Sequence, residues 1–101
     1  MTTVIFHRLA KREAKAIEEY YSSRDQRAAI RFRDAVDRAW RRIALDPASL
    51  TVWKEPFRTV RVQRFPCISY FWEVAAGQIM ILAIAHTSRR PGYWRRRTAL
   101  P

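Results

Sequence analysis

Residues 58–97 read RTVRVQRFPCISYFWEVAAGQIMILAIAHTSRRPGYWRRR and contain the patterns that decide the fold. The run Ile79–Ala85 is apolar at every position, which predicts a central strand covered on both faces. Before it, residues 67–74 predict a strand, and residues 75–78 predict a hairpin turn. The side chains expected to share one face of strand 67–74 are Ile68, Tyr70, Trp72 and Val74.

A further strand is predicted upstream, where residues 59–64 alternate between apolar and polar side chains. Pro66 marks a tight corner between this strand and the next one. Residues 47–57 contain two prolines and show no clear period, so we interpret them as a loop. The expected faces of strand 59–64 are Val60 with Val62, and Arg61 with Gln63.

The first half of the chain predicts a short strand at residues 3–6 and two helices. In the first helix the apolar side chains recur three or four residues apart, and Asp25 is a suitable N-cap for the second. The second helix is expected to end near Asp46, because Pro47 disfavours a helical conformation at the preceding residue. The apolar stripe of the first helix is Ala10, Ala14, Ile17 and Tyr21.

This order of elements, β-α-α-β-β-β, predicts an α+β fold. An N-terminal strand and a helical hairpin would pack on a mostly antiparallel sheet. The other face of the sheet would be partly open and would bear Arg61 and Gln63. A length of 101 residues fits a single domain over residues 1–101.

The chain is strongly basic, with a formal net charge of +11. Residues 1–50 carry 11 basic and 7 acidic side chains, whereas residues 51–101 carry 9 and 2. Arginine, which supplies most of this charge, binds phosphate and carboxylate through two parallel hydrogen bonds. The charge therefore predicts an acidic partner, either a nucleic acid or an acidic protein.

Composition also excludes several classes of protein. Two glycines are too few for a glycine-rich phosphate loop, and the single Cys67 excludes an internal disulfide. The N-terminus lacks the layout of a signal peptide, and no apolar run has the length of a membrane span. We therefore expect a soluble cytoplasmic protein with no membrane partner. One cysteine and two histidines give no metal-ligand spacing, so neither a metal nor a cofactor is expected.

Two motifs within residues 58–97 resemble the C-terminal half of RelE/ParE superfamily toxins. These are R-x-x-R-V-Q-R-F-P-C-I-S-Y-x-x-E and I-x-I-L-A-I-A-H-T-S-R-R-P-G-Y-W. The chain length and the order of elements are also similar to those of this family. Two positions depart from the family pattern: His7-Arg8 stands where many members have Ser-Pro, and Cys67 where many have an aromatic residue.

The resemblance implies the toxin of a type II toxin–antitoxin system, which forms a hetero-oligomer with a cognate acidic antitoxin. ParE-like members poison DNA gyrase, whereas RelE-like members cleave mRNA on the ribosome. The ending H-x-x-R-x-P-x-Y-W resembles the ParE-like, or plasmid stabilisation, branch, so gyrase is the favoured target. A degenerate binding module without toxicity is a third interpretation.

If the chain is a metal-free mRNA endonuclease, the candidate catalytic residues are His86, Tyr93 and Arg61. Cleavage needs a base, an acid and positive charge at the phosphate, and these residue types can supply them. Each also has a structural interpretation. His86 could bond a neighbouring backbone group, Tyr93 and Trp94 could fold back over the sheet edge, and Arg61 could pair with Glu73.

If the chain instead acts by binding, arginine and aromatic side chains are the expected anchors. The candidate target-binding or nucleic-acid-binding residues are Arg61, Arg64, Arg89, Arg90, Tyr93 and Trp94. Residues 25–45 also carry several arginines, among them those at positions 27, 31, 38, 41 and 42, as a DNA-binding helix would. However, Asp34 and Asp37 interrupt that helix, and no helix-turn-helix spacing precedes it.

Overall fold

The computed structural model describes residues 2–98. Over that range the chain forms five strands, two long helices and a short 3-10 turn at Pro47–Ser49. No helix in this range is both long and apolar enough to cross a membrane. The elements are β1 (Thr3–Phe6), α1 (Arg8–Ser22), α2 (Gln26–Leu45), β2 (Thr51–Lys54), β3 (Phe57–Val62), β4 (Cys67–Ala75) and β5 (Gln78–His86).

Side-chain caps explain where both helices begin. The His7 ring accepts a hydrogen bond from the Leu9 backbone N–H at 3.1 Å, so histidine caps α1. Asp25 caps α2 by accepting from the Arg27 N–H at 3.0 Å, as predicted. Because Pro47 follows, α2 ends at Leu45, which confirms the predicted end of the helix.

The strands form one sheet in the order β1-β5-β4-β3-β2. β1 lies parallel to β5, and every other neighbouring pair is antiparallel. β5 runs between β1 and β4, and residues 79–85 are buried, as their apolar sequence predicts. The predicted α+β fold is confirmed.

The two faces of the sheet are covered by different parts of the chain. Helices α1 and α2 cover the first face, where the core includes Phe32 and Ile43. Trp94 packs on the second face with side chains from β2, β3, β4 and β5. The alternation predicted along strand 67–74 is confirmed, because Ile68, Tyr70, Trp72 and Val74 all belong to this second cluster.

Three details differ from the sequence-based expectations. Residues 47–57 are not a loop: they contain β2, a short edge strand whose register on β3 shifts between Val52 and Lys54. β3 ends at Val62, so Gln63 lies in the turn and not on a strand face. The second face is more covered than expected, because Trp94 packs on its centre; it stays partly open around Trp94, where Ile68, Trp72 and Val74 are half-buried and Arg61 is exposed.

Candidate functional site

The edge of β5 is paired only in part. β1 pairs with it as far as Ile81, and beyond that point two side chains take the place of a neighbouring strand. The carboxylate of Glu13, from α1, accepts a hydrogen bond from the Ile84 N–H at 3.2 Å. The guanidinium of Arg97 donates to the carbonyl of Leu82 at 3.1 Å. Backbone groups that a strand would otherwise satisfy are thus satisfied by an ion pair.

Four side chains meet at this edge, and we call them the Glu13 cluster: Glu13, Arg89, Tyr93 and Arg97. Arg97 contacts both carboxylate oxygens of Glu13, at 2.9 and 3.2 Å, and the Tyr93 hydroxyl donates to the same carboxylate at 2.7 Å. Arg89 contacts it at 3.4 Å and lies over the Tyr93 ring, 3.5 Å from the ring centroid. The side chains of Glu13 and Arg97 are only 14% and 15% exposed, so solvent screens their attraction weakly.

The surroundings of Tyr93 keep its hydroxyl protonated. Burial raises the pKa of Tyr93, and the hydrogen bond to the Glu13 carboxylate raises it further, although Arg89 and Arg97 act in the opposite direction. An efficient general acid has a pKa near the working pH. Tyr93 is therefore arranged as a fixed hydrogen-bond donor and not as a group that exchanges protons.

His86 lies at the exposed end of β5, in a groove formed with α1 residues Ile17 and Tyr21. Its Nδ1 accepts a hydrogen bond from the Ser88 N–H at 3.0 Å, so a neutral ring carries its proton on Nε2. The Ser88 hydroxyl also lies 2.7 Å from Nδ1. This geometry matches the structural interpretation of His86. Within residues 2–98, His86 makes no hydrogen bond to Tyr93 or to Arg61.

Arg61 and Arg64 line a depression at the turn between β3 and β4, and within residues 2–98 neither makes a hydrogen bond to the Glu13 cluster. Arg61 is exposed on β3 opposite Ile68, and Arg64 adopts a left-handed backbone conformation with φ of 69°. The suggested pairing of Arg61 with Glu73 is wrong, because Glu73 lies towards the other end of β4. Within residues 2–98, neither Arg61 nor Arg64 forms an ion pair.

Trp94 is fully buried, so it cannot contact a target in this structure. Its ring centroid lies 4.6 Å from that of Tyr70, 4.9 Å from Phe57 and 5.1 Å from Trp53. Gly92, two residues earlier, has φ of +89°, and a Cβ there would lie 3.2 Å from the Trp53 ring. The geometry corresponds to a segment that folds back over the sheet, with Arg89 and Arg90 exposed and Tyr93 half-buried.

Sequence reasoning missed Glu13 and Arg97. Glu13 lies three residues after Ala10 and four before Ile17, which places it beside the apolar stripe of α1. An acid at the border of a buried stripe is a signal that a basic partner faces it. The partner could not be identified from sequence, because it lies 84 residues further along the chain.

Together, the helical hairpin, the sheet order and the folded-back C-terminal segment define the RelE/ParE superfamily fold. The model of the family described as "ParE toxin of type II toxin-antitoxin system, parDE" matches residues 4–91, so this chain belongs to the ParE toxin family. It is therefore a toxin of the type II toxin–antitoxin class, which confirms the superfamily inferred from the motifs.

A solved structure described as "Chromosomal ParDE TA system from P. aeruginosa" is similar in fold. The match has a TM-score of 0.73 at 19% sequence identity, and it covers 85% of this chain and 96% of that chain. No curated protein matches this chain significantly. At this level of identity the structural match concerns the fold, and the family assignment rests on the family model.

Proposed function

We propose that this toxin arrests bacterial growth in the cytoplasm by binding DNA gyrase, and that a cognate acidic antitoxin neutralises it in a hetero-oligomer. The observation that carries the choice of gyrase over mRNA is the hydrogen bond from Tyr93 to Glu13. This hydrogen bond gives Tyr93, the best candidate for a general acid, a structural role. A toxin that acts by binding needs no general acid.

Metal-free cleavage of RNA needs a base and an acid on opposite sides of one phosphate. Here Nδ1 of His86 is occupied by Ser88, and the Tyr93 hydroxyl is occupied by Glu13. Arg61 is exposed on β3 and hardly deprotonates, so it serves better to hold a phosphate than to remove a proton. These contacts support a binding role over acid–base catalysis by His86, Tyr93 and Arg61.

The exposed arginines next to Tyr93 support a binding role. The Arg89 side chain is 52% exposed even though it stacks on Tyr93, and Arg90 is exposed beside it. Arginine and tyrosine are frequent energetic anchors of protein interfaces. The Glu13 cluster holds Arg89 and Tyr93 in place before binding, which lowers the entropic cost of forming an interface.

The antitoxin is proposed to be acidic because the chain carries a net charge of +11. Complementary charge accelerates association and selects against other basic proteins. Co-expression with the product of a neighbouring acidic reading frame, followed by pull-down at moderate salt, should recover a complex. Failure of every such neighbour to co-purify would count against this part of the proposal.

The target is tested with purified toxin in two assays run side by side: supercoiling of plasmid DNA by gyrase, and cleavage of mRNA on translating ribosomes. We expect inhibited supercoiling and intact mRNA. Arg90→Glu should abolish the inhibition, whereas Arg12→Ala, which removes an exposed arginine from α1, should not. Cut mRNA with normal supercoiling would replace this proposal with a ribosome-dependent endonuclease, and no response in either assay would favour a non-toxic binding module.

A further inference from the structure

The outer face of α2 is a row of arginines that the proposed gyrase interaction does not use. Positions 27, 31, 38 and 42 fall within about 60° of one another at 100° per residue, so their side chains share one side of the helix. All four are exposed. The row is about 22 Å long at 1.5 Å per residue. We call these four residues, with Arg64, the α2 arginine face.

The middle of this face is concave. Arg31 and Arg38 line a groove of about 680 Å³ together with Gln63 and Arg64 from the turn between β3 and β4. The left-handed backbone conformation of Arg64 belongs to this turn. Within residues 2–98, none of the three arginines forms an ion pair. Their charges are therefore available to a ligand.

Two aspartates on α2 argued against a DNA-binding helix at the sequence level, and the structure separates them. Asp37 lies on another side of the helix, in a depression lined by Val4 and Phe6. Only Asp34 lies in the groove, among its three arginines. The α2 arginine face keeps a strong positive charge, because Asp34 is the one carboxylate of its groove and, of its five arginines, Arg27 alone is paired within residues 2–98, with Asp25 at 3.5 Å.

We propose that the α2 arginine face binds the phosphate backbone of duplex DNA. A duplex carries one negative charge per about 1.7 Å of its axis, so a row about 22 Å long can contact several phosphates at once. Arginine binds phosphate oxygens through two parallel hydrogen bonds. The contacts are made to backbone and not to bases, so the binding is independent of sequence.

The packing of the aromatic residue in the groove is an argument for double-stranded and against single-stranded DNA as the ligand. Proteins that bind single strands stack bases on exposed aromatic rings. Phe65 is the aromatic residue lining the described groove, and its ring packs against Tyr21 and Phe32 at centroid distances of 5.2 and 5.3 Å. These contacts hold the half-buried ring against the core, so it is poorly placed to stack on a base. The groove also lacks the tyrosine or tryptophan anchors typical of a protein interface.

The α2 arginine face goes beyond the proposed gyrase interaction and shares no residue with Arg89, Arg90 and Tyr93. α2 packs on the first face of the sheet, whereas Trp94 closes the second face. The chain can therefore hold DNA through α2 while Arg89 and Arg90 engage a protein. Because the DNA contact involves no gyrase, it can be measured on the purified chain alone.

The test is the fluorescence anisotropy of a short labelled duplex titrated with the full chain at several salt concentrations. Replacing both Arg31 and Arg38 by glutamine should weaken binding roughly tenfold per arginine at low salt. It should also lower the slope of log affinity against log salt by about two. Asp34→Asn should tighten binding, because it removes the one carboxylate of the groove.

The matched control replaces two exposed arginines of the C-terminal segment, Arg95→Gln with Arg96→Gln, and so removes the same charge. It should retain most of the affinity. The proposal is overturned if the control loses as much as the Arg31/Arg38 variant, if the salt slope of that variant is unchanged, or if single strands of equal length bind more tightly. Circular dichroism of each variant shows that the fold is intact, and supercoiling assays of the same variants report separately on the gyrase proposal.

Discussion

The two faces of the sheet are covered by very different means, and the first is buried more completely than the second. On the first face two long helices present many aliphatic and aromatic side chains, and no single one of them closes the core. On the second face a short irregular segment carries one tryptophan into a group of aromatic rings and is held to the sheet edge by one carboxylate. The buried apolar surface of the first face is shared among many side chains, whereas that of the second face depends largely on Trp94. Single substitutions should therefore affect the second face more.

The largest expected effect is that of Trp94→Ala. It removes a fully buried indole and leaves a cavity among Tyr70, Phe57 and Trp53. The free energy of unfolding should fall by about 3–5 kcal/mol. Urea denaturation followed by circular dichroism measures the change.

A substitution on the helix-covered face provides the comparison. Ile43→Val, at a fully buried position of α2, should cost about 1 kcal/mol. Trp94→Phe keeps an aromatic ring and should recover much of the loss seen with alanine. A Trp94→Ala protein as stable as Ile43→Val would contradict the idea that burial on the second face depends on this ring.

Glu13→Gln should have the next largest effect. The amide oxygen can still accept from the Ile84 N–H, but Arg97 loses its charged partner in a site that is only 15% exposed. Hydrogen bonds to charged groups contribute about 1.5–3 kcal/mol, so we expect a loss of about 2 kcal/mol. Residues 91–98 should also become more sensitive to protease while the helices keep their amide protection. Equal loss of protection in α2 would contradict a local role.

Tyr93→Phe should cost about 1 kcal/mol near neutral pH, because it removes one hydrogen bond and keeps the ring beneath Arg89. The pKa of Tyr93 is raised in the folded state, so the folded chain holds this proton more tightly than the unfolded chain. The contribution of this hydroxyl to the free energy of unfolding is therefore fully present below about pH 10, and it declines as the pH rises further.

Unfolding measured from pH 8 to pH 11 checks this sign. Tyr93→Phe should lose stability less steeply than the parent chain above about pH 10. A residual slope is expected, because burial also raises the pKa of Tyr70 and of Tyr21. Parallel curves for the two proteins would mean that the Tyr93 hydroxyl is not held as the structure shows.

The smallest effect is expected at the exposed pair formed by Glu18 of α1 and Arg33 of α2. Arg33 lowers the pKa of Glu18, but solvent and salt screen the attraction at this surface. Glu18→Gln should therefore shift the thermal midpoint much less than Glu13→Gln does. The two variants make the same chemical change, so their difference measures what burial and the additional hydrogen-bond partners of Glu13 add to an ion pair.

Local patterns in the sequence were sufficient for most of the fold. The apolar run Ile79–Ala85, the alternation after Cys67 and the cap at Asp25 all act within a few residues. β2 escaped prediction because it is a short edge strand with an irregular register, and such a strand leaves little periodicity. The position of Trp94 also escaped prediction, since its sequence fits an exposed anchor as well as a core residue.

The candidate site was harder to predict because it depends on contacts between distant parts of the chain. The motif identified Arg89 and Tyr93, but not the carboxylate of α1 that holds them. The sequence also did not predict that His7 caps α1. The structure shows that its imidazole nitrogen accepts the capping hydrogen bond that a serine oxygen would accept.

The ion pair at the β5 edge has a further consequence for how copies of this chain behave at high concentration. An unpaired strand edge is a template on which another chain can add a strand, and proteins that leave it uncovered tend to aggregate. At Leu82 and Ile84 the available donor and acceptor are already occupied by Glu13 and Arg97. The same two side chains that hold the C-terminal segment thus also protect the sheet from edge-to-edge self-association.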